Sequence, residues 1–355
     1  MKIALLHMTL GLINRGSEII SDSIAGVLSH EHEVLVIQSG VAGDKPYAVK
    51  RIMPLRIPPP SAPRSAKDKI LFRLKRDENS RAVRSFTARA LLELKKFSPD
   101  IIIAVNGARQ VSFLKKQMKK SKIVVFGHAG IGYHDAQNLR AKPDLFIALS
   151  REAQVWGEKL SYKSTKVVYV PNAVDTEVYK KARIKKLKLP HPIVITVGAL
   201  TGYKNISSVI EAVSKTPCSL LLIGDGEERN SIAQKLSVLA NDFSWVRHVD
   251  PVDLPSYYKA ADVFCFVPDS QEAFGLVYIE AMAAGLPVIA SDDAVRRDIV
   301  GSKGIFVDPH NPEAIGLAIL KACKRGVVDY GSKLEKYGLE NVVKKIEHEF
   351  YELLK

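Results

Sequence analysis

Apolar residues along this chain gather into short unbroken runs instead of alternating with polar ones. In the first half the runs are KIALLHM (2–8), HEVLVIQ (32–38), DIIIAVN (100–106), KIVVFGH (122–128), DLFIALS (144–150) and VVYVPN (167–172). A strand with one wet face alternates and a strand covered on both faces does not, so these runs predict buried parallel strands. Helical spacing fills the gaps, notably at 17–29 and 81–97. The second half repeats the scheme with PIVITVG (192–198), SLLLIG (219–224), SWVRHV (244–249), VFCFVP (263–268), PVIAS (287–291) and GIFVD (304–308). The pattern predicts an α/β chain of two doubly wound, Rossmann-like domains. The lysine-rich, weakly patterned stretch 173–190 predicts a hinge between domains 1–172 and 191–335, and 336–355 a last helix expected to pack back on the first domain. PPPSAPRS (58–65) reads as a loop inside the first domain. Ligands of such sheets sit beyond the carboxyl ends of the strands, so the two domains are expected to face a central cleft that holds the site.

At 355 residues and 46% hydrophobic composition the chain can bury two cores. Residues 1–6 lack the apolar segment and cleavage site of a signal peptide, and no apolar run approaches the roughly 20 residues that span a bilayer. Three cysteines, Cys218, Cys265 and Cys323, lie far apart, which argues against a disulfide framework or a zinc site. A cytoplasmic location is expected. The net charge of +14 is uneven: residues 1–170 hold 29 basic and 14 acidic side chains, an excess of +15, which leaves −1 for the rest. Its densest part, residues 50–96, joins basic and apolar residues in KDKILFRLKR (67–76). That composition suits either an ordinary solvated basic face or docking at the inner face of an anionic membrane.

Candidate chemistry concentrates in SQEAFGLVYIEAMAAGLPVIASD (270–292), where a helix expected over 274–284 carries two glutamates. Glu272 precedes the helix start, and the amides of Phe274, Gly275 and Leu276 there would favour an anion such as a phosphate. Glu280 lies on an otherwise apolar helix, where a carboxylate is costly unless a hydroxyl or a cation meets it; a ribose diol would satisfy it. Alternatively Glu272 caps the helix and Glu280 faces water. In the first half Gly11 and the loop Asn14-Arg15-Gly16-Ser17 precede a helix and offer amides, Gly16 toward a donor phosphate and Asn14 and Arg15 toward an acceptor, or they form a plain strand-to-helix turn. Gly224-Asp225-Gly226 is no dinucleotide fingerprint, because Arg229 fills the third glycine position.

The E-x7-E spacing of this segment resembles the donor motif of retaining glycosyltransferases of family 4, which have the two-domain GT-B fold. Further stretches match in order: RGSEIISDSIAGVLSHEHEVLVI (15–37), VPNAVD (170–175), VGALTGYKN (197–205), LLIGDG (221–226) and YYKAADVFCFVPDS (257–270). The resemblance implies transfer of a sugar from a UDP- or GDP-sugar to a glycan or lipid-linked acceptor, with retention of configuration, no cofactor and no essential metal; nucleic acid is not an expected partner. It implies that Glu280 binds ribose hydroxyls, Glu272 the donor sugar, and the amides of Phe274, Gly275 and Leu276 the diphosphate. Lys204 would neutralise the leaving diphosphate, and His128, at the end of a strand, would lie near the donor sugar. Ala199 stands where the family usually has an arginine, with Arg247 the candidate to replace its charge. Two other readings remain: a nucleotide-sugar epimerase on the same fold, which needs acid/base carboxylates in both domains where first-half strand ends offer His128 and Asn106, and a homologue weakened in catalysis by Ala199.

Overall fold

The computed structural model describes residues 1–13, 15–55, 77–269 and 272–355. Two compact units divide the chain: Met1–Pro171 together with Val342–Lys355, and Asn172–Asn341. The main chain therefore passes from one unit to the other twice. Asn14, PPPSAPRS and KDKILFRLKR lie outside the described residues.

The first unit is built on β1 (Lys2–His7), β2 (Glu33–Gln38), β3 (Ala48–Arg51), β4 (Ile101–Ala104), β5 (Lys122–Phe126), β6 (Leu145–Ala148) and β7 (Lys166–Tyr169). These strands form one sheet in the order β3-β2-β1-β4-β5-β6-β7, every pairing parallel. The expected apolar runs supply every strand except β3. Its sequence AVKR lies at the sheet edge with mostly exposed side chains, so no apolar run marks it. Leu6, Ile37, Phe86, Leu94, Ile102, Val111, Val125 and Phe146 join strands and helices in one core. Helix boundaries follow local chemistry. Helix Glu78–Phe97 starts where the Asp77 carboxylate accepts from the Ser80 amide, and ends at Ser98 in the left-handed conformation, with Lys95 and Lys96 in its last turn. The final segment buries Val342, Val343, Ile346 and Phe350, and reaches the sheet unit through Glu347 to His32 at 3.0 Å and Glu349 to Lys166 at 2.7 Å.

The second unit repeats the plan with β8 (Ile193–Val197), β9 (Ser219–Ile223), β10 (Phe243–Val246), β11 (Val263–Phe266), β12 (Val288–Ser291) and β13 (Ile305–Val307), in the parallel order β10-β9-β8-β11-β12-β13. Within the stretch 173–190, Thr176–Lys181 forms a helix whose start is capped by Asp175, and this stretch belongs to the second unit. In each sheet the strand order reverses beside the first strand, between β1 and β4 and between β8 and β11. Connections leave in opposite directions there, so their loops part and open a crevice at the carboxyl ends. Among the described residues no helix is long and apolar enough to cross a membrane.

Candidate functional site

Two loops flank the β8/β11 crevice, and they are tied together. After β8 the chain makes the short turn Gly202–Lys204 and then Asn205, whose φ of +55° is tolerated by asparagine better than by most residues. The Asn205 side-chain amide donates to Val267 O at 3.0 Å and Pro309 O at 2.7 Å, while the Asp269 amide donates to Tyr203 O at 2.8 Å. These bonds fix the base of Lys204. Its ammonium lies 5.1 Å from the Tyr203 ring centre and 5.4 Å from that of Phe266, and forms an ion pair with Glu272. The side chains of the pair are only 16% and 11% exposed. Water therefore screens them weakly, and each charge would be costly without the other. Residues 68 positions apart thus meet at the point where the fold opens.

Beyond Glu272 the helix begins at Leu276, two residues later than expected, and runs to Ala283. The cause is Gly275, whose φ of +85° interrupts the helical run; a Cβ there would stand 2.8 Å from the Tyr278 ring. The amide of Phe274 thus lies ahead of the first turn, and the Phe274 side chain is buried with its ring centre 6.0 Å from that of Tyr337. No side chain among the described residues caps this helix, so the Leu276 amide and its neighbours keep donors for an anion.

Glu280 has the hydroxyl partners its apolar surroundings demand, and the protein supplies them. Tyr258 donates to its carboxylate at 2.8 Å and Tyr179 is a second donor. Burial still outweighs these bonds and pushes the Glu280 carboxyl up to about 6. Two phenols occupy part of a carboxylate that can accept about four hydrogen bonds. Tyr179 and Tyr258 were not singled out from the sequence, where they read as ordinary aromatics.

Arg296, 1% exposed, was also missed. It donates to Asp269 O at 3.3 Å and faces the Asp293 carboxylate at 3.4 Å, securing the loop that leads to Glu272 from behind. On the other flank the Gly224-Asp225-Gly226 turn serves close packing. A Cβ on Gly224 would come within 1.9 Å of Gly198 O, and one on Gly226 within 2.4 Å of Leu200 O. Trp245 donates to Gly224 O at 2.8 Å, and the exposed Arg247 lies over the Trp245 ring at 5.2 Å. Arg247 is not among the described groups that touch Lys204, and Ala199 is exposed.

In the first unit Arg15 precedes helix Gly16–Leu28 without a side-chain cap, and both Arg15 and Gly16 are exposed. Gly11, at φ +74°, lies where a Cβ would stand 2.6 Å from Val41 O. His128 follows β5, half-buried, its ring stacked on Phe126 at 5.8 Å; burial and then the nearby His7 push it down to about 4, so it is neutral at neutral pH. Sequence reasoning overlooked the carboxylate in this crevice. Glu18, 4% exposed, accepts from Thr9 and Ser17, each at 2.7 Å, and lies 3.9 Å from His7 Nε2. In sequence it is indistinguishable from any acid in a first helical turn. A carboxylate therefore does stand near a first-unit strand end, but two hydroxyls already hold it.

Residues 179–340 match the family model for glycosyl transferases group 1. A phosphatidyl-myo-inositol mannosyltransferase of Mycobacterium tuberculosis is 31% identical over 183 residues, 48% of this chain and 48% of the relative. The chain spans between a third and a half of the length of the curated relatives it first matches. Among solved structures, sucrose-phosphate synthase from Thermosynechococcus elongatus superposes with a TM-score of 0.78 at 20% identity, covering 99% of this chain and 98% of the other. HepE of Anabaena, in complex with UDP and glucose, gives 0.74 at 18% identity, covering 99% and 100%. The fold is that of the GT-B enzymes, with two parallel α/β units.

Proposed function

From the match of residues 179–340 to the family model for glycosyl transferases group 1, we propose that the chain is a glycosyltransferase that moves a sugar from a UDP- or GDP-sugar to a glycan or lipid-linked acceptor, retaining anomeric configuration and requiring no metal. One observation carries the reading: the mostly buried Lys204–Glu272 ion pair at the β8/β11 crevice. The pair holds a cation ready at the end of the sheet where such folds take phosphates.

In this reading the diphosphate competes with Glu272 for Lys204, and Glu272 turns to the hydroxyls of the donor sugar. As the bond between sugar and diphosphate breaks, negative charge grows on the leaving oxygen, and a cation already in position stabilises it without reorganising. The amides of Gly275 and Leu276, with Phe274 beside them, receive the diphosphate, and the acceptor positions of Glu280 left over from Tyr179 and Tyr258 receive the ribose. Neutral His128 and the Gly16 amide act from the first unit, with Arg15 and Asn14 toward the acceptor. Arg247 compensates for Ala199.

The +15 charge of residues 1–170 and the composition of KDKILFRLKR support a peripheral position on an anionic membrane, and the name of the mycobacterial relative fits a lipid acceptor. A thermal-shift panel of UDP, GDP, ADP and their sugars tests the donor class: a nucleotide that binds the folded chain raises its melting temperature. A chain that responds to none of them, and releases no nucleotide when incubated with any sugar donor, overturns the reading.

A further inference from the structure

Beyond β5 the chain turns through Gly127-His128-Ala129-Gly130 before helix Tyr133–Arg140. The turn is tight: the His128 amide donates back to Phe126 O at 2.9 Å, and Gly130 takes a φ of +70°. Asp135, in the first turn of that helix, reaches back beneath it. A Cβ on Gly127 would stand 3.2 Å from Asp135 Oδ2 and 2.7 Å from the Phe146 ring, so glycine is what lets the turn settle on the carboxylate. The amides of Ala129 and Gly130, the two residues that follow His128, donate to this carboxylate, and Asn138 donates to its Oδ1 at 2.9 Å. Asn138 Oδ1 in turn faces Gly107 beyond β4, 3.8 Å from where a Cβ would stand. One side chain thus ties the turn after β5 to the helix that follows it.

A carboxylate at 1% exposure is costly, and this one has no charged partner among the described residues. A neutral side chain would close the turn at less cost. What the ionised carboxylate adds is strength, since it accepts N–H bonds roughly twice as strong as those a neutral acceptor receives. We infer that Asp135 is a positioning residue: by accepting from the Ala129 and Gly130 amides, its carboxylate fixes the turn that directs the His128 imidazole toward the donor sugar. The role toward the donor rests on the transferase reading; the hold on the turn does not. Burial raises the Asp135 carboxyl to about 7, so the hold strengthens as pH rises through neutrality. The titratable groups nearby are His128 on the turn, His7 at the end of β1 and Glu18 facing His7; burial pushes both histidines down, away from that point.

The full chain labelled with ¹³C-histidine gives a readout that needs no turnover: the imidazole Cε1–H resonance of His128, identified by its loss in His128→Gln. In the parent it should move with a midpoint near pH 7, and in Asp135→Asn it should stay fixed over that range. Asn138→Ala, which removes a donor that favours the ionised form, should shift the midpoint upward. The second readout is hydrolysis of the donor selected by the thermal-shift panel, followed by nucleotide release. Asp135→Asn should lower kcat about tenfold at pH 8 and little at pH 6, and raise KM for the donor by less, because a small misplacement of a reacting group costs mainly rate. A merely structural role lowers activity by the same factor at both pH values. That result overturns the proposal, as does a His128 resonance that titrates alike in the parent and in Asp135→Asn. Should Asp135→Asn fail to fold, an unmoved midpoint in Asn138→Ala overturns it instead. If the resonance behaves as expected but no donor is consumed, the hold on the turn stands and the transferase reading fails.

Discussion

Replacing Asp135 by Asn should abolish a specific part of the pH dependence of stability. Asp135 is 1% exposed, and its Oδ1 accepts from the Asn138 amide at 2.9 Å. Burial outweighs the support of Asn138 and of the Ala129 and Gly130 amides, and pushes the carboxyl up from 3.8 to about 7. The folded chain therefore binds this proton more tightly than the unfolded chain. The stability it contributes is complete below the unfolded value and is lost as pH rises through the folded one. At about 1.4 kcal/mol per tenfold in proton affinity the whole window is worth about 4 kcal/mol, of which roughly 2 falls between pH 5 and 7. Asn keeps the Oδ1 acceptor and cannot ionise, so any cost of its amide is the same at every pH. Trp156 packs against the core of the first unit and Trp245 lies in the second, so urea unfolding followed by fluorescence in a Trp245→Phe background reports the first unit alone. The difference between parent and Asp135→Asn should fall by roughly 2 kcal/mol from pH 5 to 7 and level off above about pH 8. A difference that stays constant over that range refutes the reasoning, because every other titrating group cancels in the comparison.

Lys204→Ala should lower kcat by about 10² to 10³ and raise KM by less, since the lysine meets a diphosphate already charged in the ground state and stabilises the further charge that develops in the transition state; a change confined to KM would count against it. Glu280→Ala should weaken the preferred nucleotide by about tenfold or more in calorimetry, and unaltered affinity removes the ribose assignment. The chain should co-sediment with anionic but not zwitterionic vesicles, less so as salt rises, and reversing Lys69, Arg73 and Arg76 to Glu should abolish this while sparing nucleotide affinity. Indifference to anionic vesicles at low salt would assign the basic charge to another role.

Strands buried on both faces announce themselves, because every position must be apolar; β1, β2, β4 to β6, β8, β9, β11 and β12 were legible for that reason, and the edge strands β7, β10 and β13 through their apolar residues although they are only half-buried. β3 was not, since an edge strand with exposed side chains carries no such constraint. The same contrast runs through the site. Glu272, Glu280 and Lys204 stood out by spacing and by their place after strands. The partners of Glu280 did not, because Tyr258 and Tyr179 reach it from other elements, and side-chain pairing across a fold leaves no periodic trace; nor did Arg296, which holds the preceding loop at Asp269 O. Glu18 and Asp135 look like ordinary first-turn acids, and only burial distinguishes them. The left-handed backbone of Gly275, which delays the helix, left no sign in the sequence pattern, because the Tyr278 ring that crowds its Cβ position comes from the folded turn.

The final stretch, Val342–Lys355, belongs to the unit that opens the chain. During synthesis, then, the first sheet emerges and can collapse well before its last apolar partner exists. Until residues 342–355 leave the ribosome, the surface that receives Val343, Ile346 and Phe350, together with His32 and Lys166, waits uncovered while the entire second unit is made and folds. An order of folding is thereby imposed on the two units: the second, contiguous from Asn172 to Asn341, can finish first, and the first is sealed last.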